Sequence, residues 1–143
     1  MENRLLEHWD YQTPVDIKTM VAGAGLTVSC FSGEKGCVAR VSGTTIFIDN
    51  SESEIVSRYA LAHAAFYALR RTNTDISRRD FLSSRCEHLV MQANHFALNI
   101  IMPEQAMNFF MLKKKISRIE KLALIFNCST VAVKQRLRIL GYL

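Results

Sequence analysis

The strongest constraint on the fold is a change of hydrophobic period at Asn50. Before it the apolar residues follow strand spacing, and after it helical spacing. Three runs rich in branched residues, 26–31, 37–41 and 44–49, are separated by Ser32-Gly33-Glu34-Lys35-Gly36 and Ser42-Gly43, both turn sequences. They predict a small antiparallel three-stranded meander. A helix is expected ahead of it, with Thr13 as cap, Pro14 in the first helical position and Asp16 at the positive end of the dipole. It should end near Ala22, where Gly23 and Gly25 stop it.

Beyond the switch, Asn50 or Ser51 is placed to cap a long helix reaching about Arg71. Ile55, Tyr59, Ala62, Phe66 and Leu69 form its inward face. After the polar link Thr72-Asn73-Thr74-Asp75, a second long helix is expected from about Arg79 to Ile101, with Leu82, Cys86, Leu89, Ala93, Phe96 and Ile100 on one stripe. Pro103 opens a further helical turn, Lys113-Lys114-Lys115 marks a solvated junction, and 117–126 and 129–140 read as two short helices. One helix, a small sheet and then helices make an α+β chain.

Composition narrows the function classes. A chain of 143 residues buries a core without staples, and its 49% apolar content argues against long disorder. The formal charge of +5 suits an acidic partner without naming one. The most apolar stretch, 60–69, is interrupted by His63 and is far shorter than the roughly 20 residues that cross a bilayer. Met1-Glu2-Asn3-Arg4 lacks the basic character of a secretory leader, so a cytoplasmic location is expected. Cys30, Cys37, Cys86 and Cys128 contain no C-x-x-C pair and are expected to be reduced thiols. Cys86-Glu87-His88 puts its Cys and His on different helix faces, which is poor metal-ligand geometry.

Two segments carry the functional signal. Arg58-Tyr59-Ala60-Leu61-Ala62-His63-Ala64-Ala65-Phe66-Tyr67 follows directly on Ile46-Phe47-Ile48-Asp49-Asn50. The second is Gln92-Ala93-Asn94-His95-Phe96-Ala97-Leu98-Asn99-Ile100-Ile101-Met102-Pro103. Together with the ending from Leu122-Ala123 to Leu140-Gly141, they resemble the ImmA/IrrE family of small zinc metallopeptidases, over nearly the whole chain from Pro14. There the first segment usually reads R-F-x-L-A-H-E-L-G-H and the second E-A-N-x-F-A-x-x-L-L-M-P. The resemblance implies a zincin-like fold in which two histidines at i and i+4 grip one metal, a Glu beside the first takes a proton from metal-bound water, and a carboxylate from the next helix completes the ligands.

This chain departs from that pattern at the chemistry itself. His63 holds the first histidine position, but Ala64 stands at the general base, Tyr67 at the second histidine and Gln92 at the third ligand. Alanine accepts no proton, a phenol with a pKa near 10 is a poor ligand at neutral pH, and an amide is neutral. The expectation is a degenerate member with no enzyme activity, no metal and no cofactor, in which His63, Tyr67 and Gln92 form a buried hydrogen-bonded set. His88 and His95 are expected at or near the helix surface.

The segment from Leu122 to Leu137 also has helix-turn-helix spacing. Asn127 is suited to a left-handed turn, Ser129 to a cap, and Lys134, Gln135, Arg136 and Arg138 to phosphates or base edges. The expected organisation is a zincin-like unit over 1–112 with helices over 113–143 packed on it. The resemblance implies a regulator from a phage or mobile element that binds a helix-turn-helix repressor of the Xre type and acts as an antirepressor. A small DNA-binding regulator using the C-terminal helices and a residual zinc peptidase are the alternatives. The oligomeric state is not legible.

Overall fold

The computed structural model describes residues 1–32, 36–81 and 87–143. The chain opens with one helical turn, α1 (Asn3–Leu6), which buries Leu5 completely. Trp9 is buried next to it and donates its indole N–H to the Gln12 carbonyl at 3.0 Å, while Tyr11 stays 68% exposed. The second helix, α2 (Ile17–Gly23), is capped by Asp16 rather than Thr13. The Asp16 carboxylate accepts from the Thr19 amide at 3.1 Å and from the Thr19 hydroxyl at 2.7 Å. Those bonds hold the Asp16 carboxyl below its ordinary pKa. The helical pattern thus begins three residues later than the Thr-Pro signal indicates. Gly23 is still helical. The stop is Gly25 at φ 86°, with the Leu26 amide closing back on the Val21 carbonyl at 3.2 Å.

The sheet corrects the expected meander. Among the described residues it has four strands, β1 (Thr27–Phe31), β2 (Ala39–Ser42), β3 (Thr45–Asp49) and β4 (Thr74–Ile76), in the spatial order β1-β3-β2-β4. β1 runs parallel to β3, while β2 is antiparallel to both β3 and β4. β2 and β3 form a hairpin, through a two-residue turn in which Gly43 takes a positive φ of 62°. The Asn73 side chain holds that turn by accepting from the Gly43 amide at 2.8 Å. β4 lies in the stretch that reads as a polar link, and Arg40 on β2 reaches its Asp75 at 2.8 Å. Three residues cannot show a period of two, so only pairing with β2 makes them a strand.

α3 (Glu54–Leu69) is capped by Ser53, whose hydroxyl accepts from the Val56 amide. Its burial is not a stripe. Every residue from Tyr59 to Ala68 is buried, whereas Ile55 is 41% exposed. Alanines at 60, 62, 64, 65 and 68 make this possible, since a helix without bulky side chains can be approached closely from several sides. The sheet and α2 lie against it, as does α4 (His88–Ile101). α4 starts well after Arg79. Arg78–Asp80 is a single 3₁₀ turn, closed by Ser77 and the Asp80 carboxylate bonding each other's backbone amides, and Leu82 and Cys86 lie outside the described residues.

α5 (Glu104–Asn108) follows Pro103 and passes into a π-helical turn, Phe109–Lys113. The C-terminal pair is α6 (Ile119–Phe126) and α7 (Thr130–Ile139). Asn127 between them is left-handed (φ 51°, ψ 56°), and the Ser129 hydroxyl caps α7 by accepting from the Ala132 amide at 3.1 Å. Leu122, Phe126, Val133 and Leu137 belong to the same hydrophobic cluster as Leu5, Ile46 and Phe96. The fold is α+β and zincin-like in outline. Among the described residues no helix is long and apolar enough to cross a membrane.

Candidate functional site

His63 sits in the middle of α3 with 1% of its surface exposed. Its Nδ1 lies 3.0 Å from Oδ1 of Asn94 on α4, and the same oxygen accepts from the Tyr59 hydroxyl at 2.8 Å. The Asn94 Nδ2 donates to the Asp80 carbonyl at 2.9 Å. That last bond fixes the chemistry of the other two. A backbone carbonyl only accepts, so the amide nitrogen faces Asp80 and Oδ1 faces His63. Nδ1 therefore carries the hydrogen and Nε2 keeps a bare lone pair.

Among the described residues that Nε2 is buried without a hydrogen-bond partner. Aromatic rings surround the imidazole: Phe81 at 5.2 Å between ring centroids, Tyr67 at 5.5 Å and Tyr59 at 6.2 Å. Burial lowers the His63 pKa to about 4, against the smaller opposing effects of Asn94 and the Asp80 charge. The side chain is a neutral imidazole at physiological pH.

The other expected positions do not converge on it. Ala64 is completely buried and brings no polar atom. Tyr67 is buried at ring-contact distance from His63, but the imidazole's hydrogen-bond partner is Asn94. Gln92 is exposed, and its Nε2 lies 3.2 Å from His88 Nε2. It borders an open depression of about 480 Å³ with Phe66, Arg70 and His95. The buried set is therefore Tyr59, His63 and Asn94, not His63, Tyr67 and Gln92. The physical reason is helix geometry: residues 92 and 94 lie about 200° apart around α4, so only one of them turns inward. A signal for Asn94 was present. Tyr59 and His63 are four residues apart on an alanine-rich helix, and two polar groups on one buried turn require a partner.

A zinc ion needs three protein donors or more at about 2 Å. Among the described residues, His63 Nε2 is the buried nitrogen left with a free lone pair here, and the sequence places no carboxylate at Ala64 or Gln92. Among the described residues no group of three or more His, Cys, Asp or Glu side chains can hold a metal ion. The described donors do not fit zinc.

The C-terminal residues separate into two kinds. Lys134 and Arg138 are exposed and Gln135 is half-buried. Arg136, expected to face outward with them, is 4% exposed and turned inward; Nε donates to the Met102 carbonyl at 2.9 Å and Nη2 to Asn99 Oδ1 at 2.8 Å. Arg58 makes a matching clasp from α3, donating to the carbonyls of Val15, Phe126 and Asn127 at 2.9, 3.1 and 3.2 Å. Burial pulls both guanidinium pKa values down, although three acceptors for one group and two for the other offset its cost. Of the cysteines, Cys30 is exposed, Cys37 donates to the Ala39 carbonyl, and Cys128 is buried against Met102.

A family model described as the IrrE N-terminal-like domain, peptidase M78, matches residues 23–138. No curated protein and no solved structure matches.

Proposed function

Since the chain belongs to the IrrE N-terminal-like domain family, we propose that it is a non-catalytic member that regulates transcription by binding rather than by cleavage. The observation that carries this reading is the state of His63. Its imidazole is neutral and packed among aromatic rings, Nε2 has no hydrogen-bond partner among the described residues, and the adjacent position is a buried alanine. A water at that place would have neither a metal to acidify it nor a carboxylate to take its proton.

The partner we propose is a helix-turn-helix repressor of the Xre type, bound stoichiometrically so that its DNA contacts or its dimerisation are blocked. This makes the chain an antirepressor, of phage or mobile-element origin. Support for a binding role comes from β1, an edge strand beside a cavity of about 320 Å³ lined by Val28, Ile48 and Leu61. An extended segment of a partner can add to such an edge through main-chain hydrogen bonds.

The test is to titrate the chain into a preformed complex of its host element's repressor and labelled operator. The expected result is release of the operator at about one chain per repressor protomer, with the repressor's mass unchanged. Cleaved repressor, or about one zinc per chain that is lost in His63→Ala, would establish the peptidase instead.

A further inference from the structure

We infer that the outward face of α7, together with the basic segment leading into α6, binds duplex DNA. This surface is separate from the His63 site and does not depend on the repressor reading.

The first observation is the partition of charge. Residues 113–143 hold eight Lys and Arg against one acid, Glu120, a net charge of +7; residues 1–112 hold ten against twelve, a net of −2. The modest total conceals a strongly basic end on a slightly acidic body. Seven of the eight cations, Lys113, Lys114, Lys115, Arg118, Lys121, Lys134 and Arg138, are exposed, and among the described residues none of the seven is in an ion pair. Seven uncompensated cations within 26 residues complement a polyanion.

The second observation is shape. α6 and α7 are joined by a tight left-handed turn at Asn127, and α7 buries Ala132, Val133, Arg136 and Leu137. Its exposed positions are Thr130, Val131, Lys134, Arg138 and Ile139, and 130, 131, 134 and 138 recur at helical spacing on the opposite side. A helix that is small and β-branched at its N-terminal end and basic further along suits a major groove. Short side chains let the backbone approach the bases, and long cations reach the flanking phosphates. The clasps of Arg58 and Arg136 hold the pair on the body, so the face is presented by a packed element and not by a tail. An acidic protein would satisfy the charge, but the turn-joined helix pair favours the duplex.

The experiment is fluorescence anisotropy of a labelled mixed-sequence duplex of about 24 base pairs with the full chain. Binding should be in the micromolar range near 50 mM salt and weaken at least about tenfold by about 200 mM, as counterion release requires. Lys134→Glu with Arg138→Glu should weaken it by about tenfold or more, while Arg4→Glu with Arg79→Glu, an equal charge change on exposed body positions, should cost less than about threefold. Circular dichroism shows whether each variant folds, and the alanine pair at 134 and 138 replaces the glutamate pair if that does not. No binding at about 100 µM chain near 50 mM salt, equal losses in both double variants, or equally tight binding to a labelled single strand would overturn the inference.

Discussion

At the scale of single residues, the decisive fact is a hydrogen bond that selects a tautomer. Asn94 takes the Nδ1 hydrogen of His63, and burial makes the imidazolium costly. The acid behaviour follows. With a folded pKa of about 4 and an ordinary value of 6.5, the unfolded chain takes up a proton that the folded chain refuses. Stability from His63 is complete above pH 6.5 and is lost as the pH falls towards 4, by up to roughly 3 kcal/mol at 1.36 kcal/mol per pH unit. Urea unfolding at pH 7, 5.5 and 4.5 should show this limb in the parent and not in His63→Gln; parallel limbs in both would mean that His63 is not the group responsible. A second prediction concerns Cys128, whose thiol is pushed up to about 12 by burial despite the opposing charge of Arg58. Thiolate is the reactive form, so an alkylating reagent at pH 8 should modify the exposed Cys30 first and Cys128 only as fast as the chain unfolds. Peptide mass spectrometry over time measures both rates, and early modification of Cys128 would contradict its burial.

At the scale of elements, what the sequence disclosed and what it hid divide by the range of the interaction. Local signals were legible. The helix after Asn50, the C-terminal helix pair, the left-handed Asn127 and the Ser129 cap follow from chemistry within a few residues, whereas the cap of the first is Ser53 and the second long helix starts at His88 and not near Arg79. The parallel pairing of β1 with β3 and the strand nature of β4 rest on neighbours far along the chain, and no short window contains them. α3 shows the same limit. Its expected stripe was Ile55, Tyr59, Ala62, Phe66 and Leu69, but its alanines let neighbours close in all round. Ala64, the residue after His63, lies in this core. Ala64→Glu alone should therefore destabilise the fold by about 2–4 kcal/mol, because a carboxyl group would enter a fully buried site without a partner. Thermal and urea unfolding test this; a Glu variant as stable as the parent would show that a polar pocket survives there.

At the scale of the whole molecule, the question is whether the zincin-like body and the C-terminal helices are separable. A boundary at 112 is a natural reading of Lys113-Lys114-Lys115, yet the family match runs through it and the contacts across it are specific. Arg58 closes the last carbonyls of α6 from α3, and Arg136 reaches from α7 to the C-terminal end of α4. Phe126, Val133 and Leu137 share a core with Phe96 and Ile46. Removing Arg136 would strand the Met102 carbonyl and Asn99, so Arg136→Ala should cost about 2–4 kcal/mol, above the loss of an ordinary surface contact. The same bonds predict cooperative unfolding. Trp9, the single tryptophan, is buried near the N-terminus, so its fluorescence reports on the body while amide exchange in α7 reports on the C-terminal pair. In the parent both should be lost at one urea concentration, with slow exchange of the α7 amides governed by global unfolding. In Arg136→Ala both should shift together to lower urea. If α7 exchanged quickly while Trp9 stayed native, the helix pair would be a separate unit resting on the body, and the arginine clasps would not couple the two.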